Sequence, residues 1–353
     1  MAKTRYSILY VGVYIGEAVS GQIAVAFART NTPWNNALIA IGIVGVIVAL
    51  FIRLLVREPL RQTSLVNSVA LNHLGEHPHL TSTTAKLVFA RNDLAATFSY
   101  IFRMRSFWLL TVSASFRQLS GNVFGYYMPS YLSSLYPSHT DLLSRYGIIV
   151  GVVGSVAVLL GGVLTSLFWR RTKMLPLHLT GIGGMISSVF VLLMIFSRSA
   201  AGGSEDKGIK ILYGTMSAAY LTAELWLGAL NSLIALLLPP RYKTFGLSIW
   251  AAIQVLVYSA GPEIIGLALK GVASDSQAYV VSTRIALAVI IPVGYWIAGI
   301  GFLLALPLVR RDLNEDFVRD NLGPRRKTSY GFFAFFLGGL VIGLFVASIV
   351  YRL

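Results

Sequence analysis

Long, uninterrupted apolar segments constrain this chain more than any other feature of its sequence. Segments of about 20 hydrophobic residues recur along the whole chain, and a helix of that length crosses a hydrocarbon core roughly 30 Å thick. Of the 353 residues, 56% are hydrophobic and only 12% are charged, whereas soluble domains carry about a quarter charged residues. The sequence therefore predicts an integral membrane protein, with the lipid bilayer as a partner, and argues against a soluble enzyme.

The predicted fold class is all-α. Helices satisfy their own backbone hydrogen bonds in lipid, and the apolar segments lack the alternation of a membrane β-barrel. About nine transmembrane helices are predicted, with ends placed to within a few residues. They cover residues 7–27, 35–56, 107–130, 147–168, 174–197, 211–238, 246–269, 285–308 and 330–350.

Basic residues mark one side of the predicted membrane protein. Of its 29 Lys and Arg residues, 20 fall before the first span or in alternate connecting segments, eight fall on the other side, and Arg117 lies inside a span. Lys and Arg are enriched in cytoplasmic loops. The asymmetry therefore predicts a cytoplasmic N-terminus and, with nine spans, an external C-terminus.

The net charge of +15 does not indicate a nucleic-acid partner, because the basic residues form short clusters between apolar segments. Cysteine is absent, which excludes disulfides, thiol catalysis and cysteine-ligated metals. His73, His77 and His79 surround Gly75 and Pro78, which disfavours a zinc site on one helical face. We expect no cofactor, no metal site and no enzymatic activity.

Several short motifs between about residues 3 and 310 resemble the Spinster branch of the major facilitator superfamily, and their order and spacing carry the resemblance. They are Trp34-Asn35-Asn36-Ala37, Val56-Arg57-Glu58-Pro59-Leu60-Arg61, Gly161-Gly162-Val163-Leu164 before Arg170-Arg171, Ala223-Glu224-Leu225, Asn231, Pro239-Pro240-Arg241 and Ala260-Gly261-Pro262-Glu263-Ile264-Ile265-Gly266.

The resemblance implies a partial major-facilitator fold, because it matches the first two spans to the family's fifth and sixth helices. The family's first four helices, which hold half of its substrate cavity, then have no counterpart. Residues 1–56 would form the last two helices of the N-terminal bundle, and 106–309 the complete C-terminal six-helix bundle. Residues 57–105 would form a cytoplasmic linker, whose last part fits an amphipathic surface helix and a solvated linker helix equally well. Residues 310–353 would form a cytoplasmic loop and an extra transmembrane helix.

The same resemblance implies secondary active or facilitative transport of a small organic solute or an amphipathic lipid, by two bundles rocking about a central site. Protons are the candidate coupling ion, and the endosome, lysosome or plasma membrane is the candidate compartment. The oligomeric state stays open. The alternative is a non-transporting membrane protein, either truncated or acting as a partner subunit of another transporter.

Charged residues inside the spans are the first candidates for a site, because a charge near the bilayer centre costs on the order of 2.5–3.5 kcal/mol. Arg117 and Glu224 lie near mid-depth of their spans by the helical rise. The resemblance implies that both spans border the family's central cavity. We expect the two residues to pair or to bind an anionic or zwitterionic headgroup. A structural salt bridge within the C-terminal bundle is the alternative.

Polar residues on the same two spans complete the candidate substrate-binding set. Tyr220 and Asn231 fall on one helical face with Glu224, at offsets of four and eleven residues, while Gln118 and Asn122 lie beside Arg117. The predicted substrate-binding residues are Arg117, Gln118, Asn122, Tyr220, Glu224 and Asn231.

A second set is predicted to serve gating or packing, namely Glu17, Tyr126, Tyr127, Pro262 and Glu263. The two tyrosines are explained equally well by an interfacial aromatic belt, and Glu263 by a side chain that reaches the interface. Small residues allow helices to approach closely. Glu17 is therefore expected to form a hydrogen bond at a close contact provided by Gly12, Gly16 and Gly21.

The predicted topology can be tested with single cysteines, since the native chain has none. Leu80→Cys and Asp320→Cys should react with a membrane-impermeant maleimide from the same, cytoplasmic face, and Lys207→Cys from the opposite face. Labelling of intact and permeabilised cells measures this. If positions 80 and 320 react from opposite faces, the span assignment is wrong.

Overall fold

The computed structural model describes residues 2–30, 33–55, 100–238, 243–272 and 276–313. Within these residues every long element is helical and no strand is present, which confirms the predicted all-α class. The helices are α1 (Ala2–Arg29), α2 (Trp34–Leu55), α3 (Arg105–Leu135), α4 (Leu142–Phe168), α5 (Leu175–Ile195), α6 (Ser197–Ala200), α7 (Glu205–Ala223), α8 (Trp226–Leu237), α9 (Lys243–Ala268) and α10 (Gln277–Asp312).

Seven helical segments in the described part of the chain are long and apolar enough to cross a membrane, with α7 and α8 counted as one. Eight of the nine predicted spans coincide with helices. The ninth, 330–350, and the linker residues 56–99 lie outside the described residues. Although α3 has 31 residues, it is too polar to be among the seven.

The chain divides into two compact units, residues 1–22 with 101–353 and residues 23–100. In the second unit, α2 exposes most of its apolar side chains between residues 38 and 55, among them Leu50, Phe51 and Leu54. Such a surface is suited to lipid. The boundaries predicted at residues 56, 105 and 309 stay predictions.

In the first unit, α3 contacts both α9 and α10, and α5 packs against α7 and α10. Glycines of α10 allow α3 to approach closely, because a methyl group at Gly294 or Gly301 would overlap with the hydroxyl of Ser120 or Ser113, respectively. Small residues at such contacts are typical of membrane helix pairs. The polar face of α3 therefore lies inside the bundle.

Hydroxyl groups within α3 donate to backbone carbonyls of the preceding turn, as the Thr111 hydroxyl does to Phe107 O at 2.6 Å and the Ser115 hydroxyl to Thr111 O at 2.8 Å. Near the C-terminal end of α3, the buried Tyr131 hydroxyl donates to the carbonyl of Ile195, the last residue of α5, at 2.9 Å. These bonds satisfy polar groups that would otherwise be costly to bury.

Helix α10 extends beyond the predicted 285–308 at both ends. The Ser276 side chain accepts the Tyr279 backbone N–H at 3.1 Å, which is an ordinary N-terminal cap. At the other end, the buried carboxylate of Asp312 accepts the Ser106 hydroxyl at 2.5 Å. Caps and a polar contact, not hydropathy, set these two ends.

The predicted span 211–238 is interrupted, so the expectation of one continuous helix is wrong. Helix α7 ends at Ala223 and α8 begins at Trp226. Two glycines accommodate backbone carbonyls at this break. A methyl group at Gly161 of α4 would overlap with Leu225 O, and one at Gly183 of α5 would lie 2.6 Å from Thr222 O. The break is therefore packed against backbone on two sides.

Close contacts of α1 involve glycines of α4 and not its own. A methyl group at Gly12, Gly16 or Gly21 would have no heavy atom within 4 Å among the described residues, whereas one at Gly151 or Gly154 would overlap with Ala18 or Tyr14. The predicted close approach through the α1 glycines is thus wrong. At each of these contacts, a side chain of α1 occupies the space that a glycine leaves on α4.

The packing at the break predicts opposite effects for two substitutions of glycine by alanine. Gly161→Ala should destabilise the fold by about 1–3 kcal/mol, because its methyl group overlaps with Leu225 O. Gly214→Ala, at a helical glycine with no neighbour within 4 Å, should be neutral or stabilising by up to about 1 kcal/mol. Unfolding in detergent compares the two variants, and equal stability would contradict the close contact.

Candidate functional site

The candidate site lies where α7 gives way to α8, in the interior of the first unit. An interrupted helix leaves carbonyls without their usual partners, and in lipid these groups must be satisfied by other protein groups. The guanidinium of Arg117 on α3 donates through Nη2 to the carbonyl of Ala223, the last residue of α7. A charged side chain thus satisfies a carbonyl at the helix break.

Arg117 is almost completely enclosed, with 3% of its surface exposed. Its guanidinium carbon lies 4.9 Å from the ring centroid of Trp226 and 5.0 Å from that of Tyr295, within the range of cation–π attraction. Gly184 of α5 provides room for Nη1, since a methyl group there would overlap with it. Among the described residues, Nε and Nη1 have no hydrogen-bond partner.

The direct ion pair expected between Arg117 and Glu224 is absent from the described part of the chain. Arg117 bonds instead to the carbonyl of Ala223. Glu224 directly follows the last residue of α7. Both residues therefore lie at the break, but their charges are not paired.

Tyr14 of α1 is the partner of Glu224, and the sequence analysis missed it. The Tyr14 hydroxyl donates to Glu224 Oε2, and its ring packs over Gly154. A single tyrosine within an apolar span carries no distinctive signal. Glu17, one turn after Tyr14, has an exposed side chain, in contrast to the predicted hydrogen bond at a helix contact.

The predicted polar strip of Tyr220, Glu224 and Asn231 does not form, because the break separates Asn231 from the other two. Asn231 Nδ2 donates to Leu227 O at 2.7 Å, and its Oδ1 accepts the Trp250 indole N–H at 3.2 Å. It therefore joins α8 to α9.

Tyr220 remains close to the break, and its surroundings are aromatic. Its hydroxyl lies 3.3 Å from that of Tyr146 on α4, and its ring contacts Phe124 of α3 edge-on at 5.7 Å. Gln118, half-buried one residue after Arg117, makes no hydrogen bond to the residues that the structure describes. Of the other predicted substrate-binding residues, Tyr220 and Gln118 remain close to Arg117 and the helix break.

Asn122 and two of the predicted gating residues, Tyr127 and Pro262, lie at the contact between α3 and α9. Asn122 Nδ2 donates to Tyr258 O at 2.9 Å, and the Tyr127 hydroxyl donates to Pro262 O at 3.0 Å. The structure thus brings Tyr127 and Pro262 together. Tyr126 and Glu263 instead have exposed side chains.

Two comparisons with known proteins find similarity. The family model described as the Major Facilitator Superfamily matches residues 3–262. Among solved structures, the chain is similar to the crystal structure of a bacterial homolog to human lysosomal transporter, Spinster, in an inward-facing and unoccupied conformation, with 17% sequence identity and a TM-score of 0.44. The match covers 65% of this chain and 51% of that chain, so this chain spans about half of that transporter's length. A comparison with curated proteins finds no match.

The contact between α1 and the break predicts a loss of stability on removing a single oxygen. Tyr14→Phe should destabilise the protein by about 1.5–3 kcal/mol, the usual range for a hydrogen bond to a charged group. In a Glu224→Leu background the same change should cost less than half as much, since the acceptor is gone. Unfolding in detergent of all four proteins gives the coupling energy. Additive losses would contradict the bond.

Proposed function

The chain belongs to the major facilitator superfamily of membrane transporters, and from this premise we propose that it moves an amphipathic solute with an anionic or zwitterionic headgroup across the bilayer. Arg117 and Glu224 are the headgroup contacts in this proposal, and Gln118 and Tyr220 supply orienting hydrogen bonds. The solute is a single-chain lipid or a small organic ion of the same headgroup chemistry.

The unsatisfied guanidinium of Arg117 carries the proposal. Burying a charged group is costly unless its donors find acceptors. Here Nη2 donates to Ala223 O, while Nε and Nη1 have no acceptor among the described residues. A carboxylate or phosphate oxygen is the acceptor that best matches a guanidinium, because the two groups form short, charge-assisted bonds.

Glu224 supports a zwitterionic headgroup as well as an anionic one. Its carboxylate is partly buried and bonded to the neutral Tyr14 hydroxyl, so its negative charge is not neutralised by an ion pair among the described residues. A fixed cation and an anion at one helix break can bind the two ends of a headgroup dipole. The Trp226 and Tyr295 rings beside the guanidinium would shield such a headgroup from water and strengthen its electrostatic contacts.

The enclosure of Arg117 fits a carrier that alternates between closed and open states. In this conformation α1 covers Glu224 through Tyr14, and α5 covers Nη1 at Gly184. Access to the arginine then requires a rearrangement of these helices, as rocking-bundle transport does. Helix α1 is held by the bond from Tyr14 to Glu224, by two hydrogen bonds between Gln22 and Ser144, and by close packing against α4. Its displacement has to break all of these contacts.

The coupling ion and the compartment follow the sequence resemblance in this proposal. Protons are the candidate driving ion, and the endosomal, lysosomal or plasma membrane is the candidate location. An imposed pH gradient that accelerates solute entry into liposomes would support proton coupling.

A flux assay tests the solute class directly. Purified protein in liposomes is offered a fluorescent single-chain lipid with a phosphate headgroup, the same lipid with an uncharged headgroup, and a small organic phosphate without the chain. We expect transport of the first probe, at least tenfold faster than the second. The third probe distinguishes a lipid from a small-solute carrier.

Two substitutions assign the transport to the site. Arg117→Gln and Glu224→Gln should each lower flux of the phosphate lipid by about tenfold or more, which corresponds to about 1.4 kcal/mol. Thermal unfolding of each variant separates loss of contact from loss of fold. A folded Arg117→Gln protein with unchanged flux would remove the arginine from the site. Flux that appears only when a second protein is reconstituted with the chain would favour the partner-subunit alternative.

A further inference from the structure

Asn122 of α3 bonds to a carbonyl of α9 that lacks its usual main-chain hydrogen bond. Proline has no backbone N–H, so within a helix it leaves the carbonyl four residues earlier without its usual donor. For Pro262 that carbonyl belongs to Tyr258, and the Asn122 side chain donates to this oxygen at 2.9 Å. The amide of Asn122 thus takes the place of the N–H that Pro262 lacks.

A second side chain of α3 bonds to the proline itself. The Tyr127 hydroxyl donates to Pro262 O at 3.0 Å. Helix α3 approaches closely at this point because Gly261 has no side chain: a methyl group there would lie 2.8 Å from Val123 Cγ2 and 3.2 Å from Leu119 O. Glycine and proline are adjacent on α9, and the two donors lie about one and a half turns apart on α3.

The other helix-internal prolines lack this arrangement. Pro129, Pro292 and Pro307 also lie within helices, four residues after Gly125, Ala288 and Leu303. In the described part of the chain, no side chain donates a hydrogen bond to those three carbonyls. The two donors at Pro262 are therefore a particular feature of the α3–α9 contact.

We propose that Asn122 and Tyr127 form a side-chain latch that replaces the missing main-chain bond at Pro262 and holds the outer end of α9, residues 262–268, against α3. Asn122 is then a positioning residue for α9 and not a solute contact. A main-chain hydrogen bond cannot break without unwinding a turn of the helix, whereas the two side-chain bonds of this latch can. The outer end of α9 becomes a hinged segment whose closure depends on α3.

The polar chemistry of the site supports a latch over a ligand contact. The donating amide of Asn122 is already engaged by a carbonyl that has no alternative main-chain donor. Withdrawing it to bind solute would leave Tyr258 O unsatisfied within the bilayer, at a cost typical of a buried unpaired carbonyl. Gln118, one turn earlier on α3, has no such commitment to the described residues.

Amide hydrogen exchange of the protein in detergent, without solute, tests the latch independently of the proposed transport. Asn122→Ala should increase the exchange rate of the amides in residues 259–268 at least fivefold and lower the midpoint of thermal unfolding by about 2–4 °C. In a Pro262→Ala background the same substitution should change exchange less than twofold, because an alanine at this position supplies the missing N–H to Tyr258 O. The matched control is Gln118→Ala, expected to leave exchange in 259–268 unchanged.

The adjacent tyrosines give a second, isosteric comparison. Tyr127→Phe removes only the hydroxyl that bonds Pro262 O and should increase exchange in 262–268 about threefold or more. Tyr126→Phe removes the same atom from a side chain that is 67% exposed and should have no effect there. Equal effects of Asn122→Ala in the two backgrounds, no effect in the native background, or equal effects of the two tyrosine substitutions would overturn the latch.

Discussion

Backbone carbonyls that a membrane helix leaves unpaired must find donors inside the protein, and in the described part of the chain α3 provides four such donors. Its side chains bond to carbonyls of α5, α7 and α9 at the points where those helices end, break or contain proline. The donors are Arg117, Asn122, Tyr127 and Tyr131, and the acceptors are the carbonyls of Ala223, Tyr258, Pro262 and Ile195. This requirement explains why a helix as long and polar as α3 lies inside the bundle.

The same requirement shapes the proposed solute site. Arg117 donates to the carbonyl of Ala223 at the break through only one of its nitrogens, Nη2. It therefore stabilises the break while Nε and Nη1 keep no acceptor among the described residues. Glu224 similarly bonds Tyr14 while keeping its charge unpaired. A solute that engages both residues would act on the packing of α1 and α7 together, so binding and helix rearrangement would share the same few atoms.

The sequence predicted the features that depend on hydropathy and charge, and missed those that depend on contacts between helices. Apolar length located eight helices. The two mid-span charges, Arg117 and Glu224, both lie at the helix break but do not form the predicted ion pair. The break at Glu224 could not be predicted, because a glutamate followed by leucine resembles ordinary helix and the glycines that accommodate the break lie on α4 and α5. The roles of Asn122 and Asn231 were missed for the same reason, since both depend on acceptors or donors in α9. Tyr14 had no local signal at all.

The order of the helices along the chain has a consequence for biogenesis. Helix α3 is synthesised before α5, α7 and α9, so when it reaches the translocon none of the carbonyls that its side chains will serve yet exists. A segment carrying Arg117, Asn122 and several hydroxyls partitions poorly into lipid by itself. Its stable insertion therefore depends on helices that are made later. The polar helix at the centre of the contacts is stable in lipid only once those helices supply its acceptors.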